Sequence, residues 1–332
     1  MALTGSALVA SPRVARATGG LDVTATPEAQ HQVRVLLASG AFPEPQALDA
    51  WHFGWNGRTY RGTSEVVALP DGRRALLNML PLDAYLSGVI SKEISASWAP
   101  SAQQAQAIVS RTYALLKLHP EKAYDVVASE SDQVYGGIEG ETVEGRAAVD
   151  ATAGAILVYA GRPAHVVYSA CCGGRTADAA DVWGASYPYL PSIVDPNCLG
   201  TPAFNWNATV ALDAVAAAFG SPFTDVGPLR SVRIESDDPN DRPRNIAFVG
   251  NASSFETSPK AFRASLGPSV VRSTFLHALT IADGGASLAV WGTGRGHGVG
   301  MCQWGARELG ERGASAQDIV GFYFPGTTFG VG

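Results

Sequence analysis

Two neighbouring stretches decide the fold: residues 81–93 (PLDAYLSGVISKE) and residues 100–118 (PSAQQAQAIVSRTYALLKL). Each opens on a proline, which suits the first position of a helix because the N–H it lacks would have no partner there. In the first stretch Leu82, Leu86, Val89 and Ile90 recur at helical spacing, and the helix is expected to end near Glu93. In the second, Ala102, Ala105, Val109, Thr112 and Leu116 line one face, while Ala107, Ile108 and Leu115 widen it. So broad an apolar surface predicts a helix buried in the middle of the molecule. His119 and Pro120 stop it.

Upstream the pattern is that of strands. Residues 31–37 are rich in Val and Leu, and shorter strand-like pieces follow around 51–60, 66–69 and 75–79, with Asp71-Gly72 marking a hairpin turn. Downstream, a third helix is expected over 142–153, ended by Gly154, then strands over 155–159 and 164–170. Residues 200–290 combine a short Ala-rich helix at 213–219 with strands such as 231–235 and 246–249. Near the end Glu308 falls in a helix after Cys302, and Ser315 with Asp318 forms a capping box for 316–324. The expected fold class is α+β, with mixed helices and small β-sheets around a central substrate groove. Residues 31–332 read as one domain, within which 200–290 is a candidate β-rich subdomain.

With 46% hydrophobic and 16% charged residues, the chain has a globular composition. No apolar run approaches the length of a membrane span. The net charge of −6 argues against nucleic acid as a partner and disfavours anionic lipid, whereas a neutral polar polymer suits it. Residues 1–30 read as a leader. Residues 2–10 are weakly apolar and Ala15-Arg16-Ala17 resembles a small-x-small cleavage site, yet no Lys or Arg precedes them as a secretory signal requires. A degraded signal peptide and a disordered leader both remain open.

The chemistry concentrates in three stretches, with a polar–aromatic turn at 132–137 beside them. At Glu93 an apolar helix face gives way to a Ser-rich loop beside Trp98, and a carboxyl against an aromatic wall loses solvation, which raises its pKa. Such a group can hold a proton near neutrality and donate it to a glycosidic oxygen. Residues 296–306 (GHGVGMCQWGA) set His297 between residues of minimal bulk, a turn that would expose His297 and Gln303 to a polar ligand. Residues 168–176 (YSACCGGRT) hold Ser169 and Cys172 before paired glycines, and residues 132–137 (DQVYGG) form a polar–aromatic turn with Gln133 and Tyr135. Trp98, Tyr135 and Trp304 are candidates to stack on sugar rings. A nucleophilic cysteine is disfavoured, because nothing in the sequence brings a base beside Cys171 or Cys172.

Four cysteines, Cys171, Cys172, Cys198 and Cys302, admit three full pairings. A Cys172–Cys198 disulfide would close a loop of about 25 residues and contribute about 3 kcal/mol. Free thiols are an alternative, and so is zinc held by these thiols with His297, although no CxxC spacing supports a metal. No metal ligand and no cofactor is assigned from the sequence.

Taken together, Tyr85-Leu-x-Gly-Val-x-x-x-Glu93, Gln104-Ala-Gln-Ala with Arg111-Thr-Tyr-Ala114, Asp132-Gln-Val-Tyr-Gly-Gly137, Cys172-Gly-Gly-x-Thr176 and Gly296-His-Gly-Val-Gly-Met-x-Gln303 resemble the SpoIID/LytB family, and they occur in that family's order. Residues 33–37 and 262–267 also look familial, so the likeness spans roughly 31–329. The resemblance implies an extracytoplasmic lytic transglycosylase of peptidoglycan, acting in periplasm or cell wall. Glu93 would be its acid/base, and Arg111, Gln133, Tyr135, Ser169, Cys172, His297 and Gln303 its substrate-positioning residues. Arg111 reads equally well as an ion-pair partner inside the helix packing. The partners implied are glycan strands and other cell-wall hydrolases. Where the family commonly has a histidine this chain has Ser169, and Cys302 replaces a common serine, which brings contact with Cys172 within reach. Two rival readings stand beside the enzyme: a non-catalytic amidase enhancer that binds glycan, and a two-carboxylate hydrolase pairing Glu93 with Asp132 or Glu130.

Overall fold

The structure is a computed structural model that describes residues 31–236 and 242–332, so the leader expected over 1–30 lies outside the described residues. Among the described residues the α-helices run α1 (Leu82–Glu93), α2 (Pro100–Lys117), α3 (Val143–Ala151), α4 (Ala179–Trp183), α5 (Leu212–Phe219), α6 (Ser221–Thr224), α7 (Pro259–Leu266), α8 (Gln303–Glu311) and α9 (Ala316–Tyr323). Several small sheets accompany them, and the fold class is α+β.

The N-terminal sheet has the order Thr63–Ala68, Arg74–Pro81, Gln32–Ser39 and Val126–Val127, with only the last pairing parallel. Arg74–Pro81 runs straight into α1. Val33, Val35 and Leu80 from this sheet meet Tyr85, Leu86, Val89 and Ile90 of α1 in one core cluster, which fixes the direction of α1 and hence the position of Glu93 at its end.

Helix α2 packs against α1, α3, α8, α9 and the strand Ala155–Tyr159, and Ala105, Ile108 and Val109 are fully buried. It is the central helix that its broad apolar surface predicts. Its two faces feed different cores: Ala107 and Ala114 join α1, whereas Ala105, Ile108 and Val109 join a second cluster with Leu157, Val299, Met301, Ile319 and Phe324. Segments distant in sequence therefore converge on α2.

The strand expected over 164–170 is shorter in the structure, which has Arg162–Pro163 and Tyr168–Ser169 separated by irregular chain. Tyr168–Ser169 pairs in parallel with Met301–Cys302, a partner no local pattern reveals. Between residues 205 and 293 the strands Asn205–Ala211, Ser287–Thr293 and Phe275–Ala282 form one sheet, and Leu229–Glu235, Asn245–Gly250 and Ser254–Thr257 another. These sheets share a separate core of Trp206, Phe223, Phe248, Phe262, Leu276 and Leu288.

Candidate active site

Glu93 is the last residue of α1, and its carboxyl turns inward. Oε1 accepts a hydrogen bond from the Val134 backbone N–H at 2.8 Å, and the Tyr168 and Gln303 side chains also hydrogen-bond the group. Burial raises its pKa above the ordinary carboxyl value, and the three donors offset part of that rise. Its acidic neighbour Glu130 pushes in the same direction as burial but is itself exposed. The groups that hold the carboxyl are not the expected Trp98. Trp98 stands against Trp304, with ring centroids 5.2 Å apart, and the groups that meet the carboxyl come from residues 134, 168 and 303.

Behind the carboxyl lies a chain of neutral polar groups. Tyr85 of α1 donates to Gln133 Oε1 at 3.2 Å, and Gln133 Nε2 donates to the Tyr168 hydroxyl at 3.2 Å. Tyr168, its pKa held well above the ordinary phenol value by burial and then by Glu93, remains a proton-bearing donor toward that carboxyl. On the other side Gln303 Nε2 donates to Gln106 Oε1 at 3.3 Å, and Gln106 Nε2 to Ser110 Oγ at 3.0 Å. Gln303 and Gln133 are thus held by partners on α2 and α1, which narrows their rotamers and aims them at fixed points.

The histidine turn closes the arrangement. Gly296, Gly298 and Gly300 have φ of +103°, +79° and +70°, a left-handed alternation that only glycine adopts without strain. It delivers His297 to the backbone carbonyl of Tyr168, to which the ring hydrogen-bonds, while His297 Nδ1 accepts from the Val299 N–H at 3.0 Å. Burial lowers the His297 pKa to about 4, so the ring is neutral near pH 7. Trp183 of α4 stacks obliquely against it, with centroids 5.1 Å apart. The Ser169 hydroxyl accepts from the Gly298 N–H at 3.2 Å and so pins the turn.

The structure therefore brings Glu93, Gln133, Ser169, His297 and Gln303 together and places three other predicted residues differently. Arg111 is 1% exposed, and its guanidinium binds Asp83 at 2.9 Å, the carbonyls of Val149 and Ala155, and Thr152 Oγ1. It fastens α1, α2 and α3, and a substrate cannot reach it. Tyr135 is 4% exposed and donates to Asn78 Oδ1 at 2.9 Å, so it supports the turn carrying Val134 and offers no face to a sugar. Cys172 is fully buried and faces other cysteines. Gln133, also fully buried, acts through Tyr168. Four participants went unassigned in the sequence: Tyr85, Gln106, Ser110 and Tyr168. The signal for Gln106 was present, since an amide on the apolar face of a buried helix needs a partner; Tyr168 carried no such mark.

The four thiols are reduced and mutually close. Cys172 Sγ lies 3.5 Å from Cys198 Sγ, beyond the ~2.05 Å of a disulfide, and 3.2 Å from Asp195 Oδ2. His297, the sequence's candidate to join these thiols on zinc, is engaged with Tyr168 and Val299 instead.

This is an α+β protein in which one desolvated carboxyl is enclosed by segments 133–134, 168–169 and 297–303. It belongs to the SpoIID family. The family model described as stage II sporulation protein matches residues 71–159, a span that contains Glu93 and Gln133. The chain is 30% identical over 277 residues to an uncharacterised protein of Brachyspira hyodysenteriae, covering 82% of this chain and 73% of that one. It is 26% identical over 270 residues to the stage II sporulation protein D of Bacillus subtilis, covering 75% and 74%. It is also 28% identical over 291 residues to the amidase enhancer of the same organism, covering 73% of this chain but 40% of that protein.

Proposed function

We propose that the chain is a lytic transglycosylase that cuts the MurNAc–GlcNAc bond of peptidoglycan outside the cytoplasm, with Glu93 as general acid and then base. The observation that carries this reading is a buried carboxyl of raised pKa that accepts from neutral donors, the Val134 N–H and the Tyr168 and Gln303 side chains. In the first step Glu93 gives its proton to the leaving glycosidic oxygen. The resulting carboxylate then takes the proton of the muramyl 6-hydroxyl, whose oxygen attacks the anomeric carbon to form the 1,6-anhydro end. One carboxyl suffices, because the nucleophile belongs to the substrate, and the two-carboxylate requirement of ordinary glycosidases falls away. The glycan would lie in a groove across Glu93, bounded by the His297 turn and by the Trp98–Trp304 pair, with Gln303 and Ser169 on its walls. Tyr168 would steady the carboxyl in both protonation states.

The test is digestion of purified peptidoglycan followed by mass spectrometry. Wild type is expected to release anhydro-muropeptides, and Glu93→Gln to lower their yield by about a thousand-fold, in line with loss of a positioned acid/base. Equal activity of the two proteins would remove Glu93 from the chemistry. Reducing-end products in place of anhydro ends would favour a hydrolase that recruits Glu130.

A second reading has its own support. Ser169 stands where the family commonly has a histidine, and its hydroxyl is occupied by Gly298. One relative is named an amidase enhancer. On that reading the same surface binds glycan without cutting it and works with another wall hydrolase. Intact glycan pull-down with no anhydro products from wild type would select it.

A further inference from the structure

The four cysteines gather behind the site, where the paired-glycine segment, the 3-10 turn Pro196–Cys198 and the start of α8 meet. One sulfur each from Cys172, Cys198 and Cys302 and one carboxylate oxygen from Asp195 all lie within 4.8 Å of one another, and all four residues are buried. Tetrahedral zinc with Zn–S near 2.3 Å sets its sulfurs about 3.8 Å apart. The 3.5 Å between Cys172 and Cys198 is close to that and far from a disulfide bond.

We propose that Cys172, Cys198, Cys302 and Asp195 form a buried structural zinc site that ties together the two walls flanking Glu93. Backbone N–H groups face two of the sulfurs. Sγ of Cys302 accepts from the backbone N–H of Cys172 at 3.2 Å and of Gly305 at 3.4 Å, and it caps the N-terminus of α8, where the helix dipole favours negative charge. Gly174 donates its N–H to Cys198. Asp195 is held in place by the Tyr323 hydroxyl at 2.8 Å on Oδ2 and by Asn197 on Oδ1. Such outer hydrogen bonds orient metal ligands. A Cβ on Gly305 would lie 2.6 Å from Asp195 Oδ2 and 2.0 Å from the Tyr323 hydroxyl, so the backbone approaches this carboxylate as closely as it can.

Three thiolates and a carboxylate complete a closed tetrahedral shell, which leaves no position for substrate and marks a structural site. On binding, the thiol protons pass to solvent and no electrons are exchanged. Cys302 directly precedes Gln303, and Cys172 lies three residues after Ser169, so the metal would set the spacing of both walls. Cys171, whose thiol also contacts Cys198 and Cys302, packs alongside without ligating. The site requires no assumption about the reaction at Glu93.

The test uses the full chain purified without a metal-binding tag, under reductant and without chelator. Elemental analysis should find near one equivalent of zinc, and cobalt exchange should give the intense visible bands of a tetrahedral thiolate site. Stripping the metal should lower the Tm by about 5 °C or more, recovered by zinc and not by magnesium. Cys198→Ser and Asp195→Asn should lose zinc, whereas Cys171→Ser should keep it. Loss of zinc from Cys171→Ser with retention in Asp195→Asn would overturn the carboxylate ligand. A metal-free wild type with four reactive thiols, or an intact mass lowered by the hydrogens lost to a disulfide, would overturn the site altogether.

Discussion

At the end of α1 Glu93 sits at the negative end of the helix dipole and among groups that exclude water, two conditions that disfavour its ionised form. The folded chain therefore holds this proton more tightly than the unfolded one. The stabilisation linked to it is complete below the unfolded pKa and is lost as pH rises through the higher folded value, so at neutrality the carboxylate is a net cost. Glu93→Gln keeps an acceptor for the Val134 N–H and removes the charge. Denaturant unfolding should find it more stable than wild type at pH 7 by on the order of 1 kcal/mol, with the gap closing as pH falls toward 4.5, the ordinary glutamate value. A gap that widens on acidification would contradict the burial of this group. Arg111 makes the opposite case, a charge whose partners are all structural. Arg111→Met takes the guanidinium from Asp83 and from the Val149 and Ala155 carbonyls, of which Val149 O keeps the Thr152 N–H, and should cost about 3 kcal/mol in unfolding free energy, with Arg111→Lys recovering only part because a point ammonium cannot span those acceptors. At this scale the sequence showed Glu93 through its place at the helix end. It did not separate the two readings of Arg111, since an arginine on an apolar helix face looks the same whether its acceptor is protein or ligand.

Elements were legible where their signals are local. Pro81 as the cap of α1, Pro100 as the first residue of α2, the Asp71-Gly72 turn and the capping box of α9 all appear in the structure at the expected places. The capping box is complete: Ser315 Oγ accepts from the Asp318 N–H, and the Asp318 carboxylate accepts from the Ser315 N–H at 3.1 Å. Ser315→Ala should therefore lower stability by about 1 kcal/mol, read as a shift in denaturation midpoint at constant slope; no shift would mean that packing of Ile319, Val320 and Tyr323 alone sets the helix. Elements whose partners are remote were not legible. The Tyr168–Ser169 strand exists through Met301–Cys302, and α7 was read only as a familial stretch because its eight residues give just Phe262 and Leu266 to the core, although Ser258 and Gly267 bracket it. A short helix carries too few apolar repeats to declare a period, and its caps then become the better guide.

Over the whole molecule the site is a consequence of what gathers around α2. Helix α1 brings Glu93, α8 brings Gln303, and Gln106 and Ser110 of α2 itself anchor the latter through their side chains. Motif order named the participating stretches, but the closure that sets His297 against Tyr168 depends on long-range packing that one sequence does not display. The same packing sets a stability gradient. Amides of α2, enclosed by α1, α3, α8, α9 and the strand Ala155–Tyr159, can exchange with solvent only when those elements separate, so their protection should approach the global unfolding free energy. Ser254–Thr257 is an edge strand, paired on one side alone with Ser254 and Glu256 exposed, and can open without disturbing the Glu93 neighbourhood. Native-state hydrogen exchange should therefore find α2 among the slowest segments and Ser254–Thr257 among the fast ones, by about a hundred-fold or more in rate. Uniform exchange across the two would mean that the 205–293 sheets and the α2 core open as one unit. In that case a destabilising change at Phe248, deep in the separate core, would be felt at Glu93 as strongly as one at Ile108.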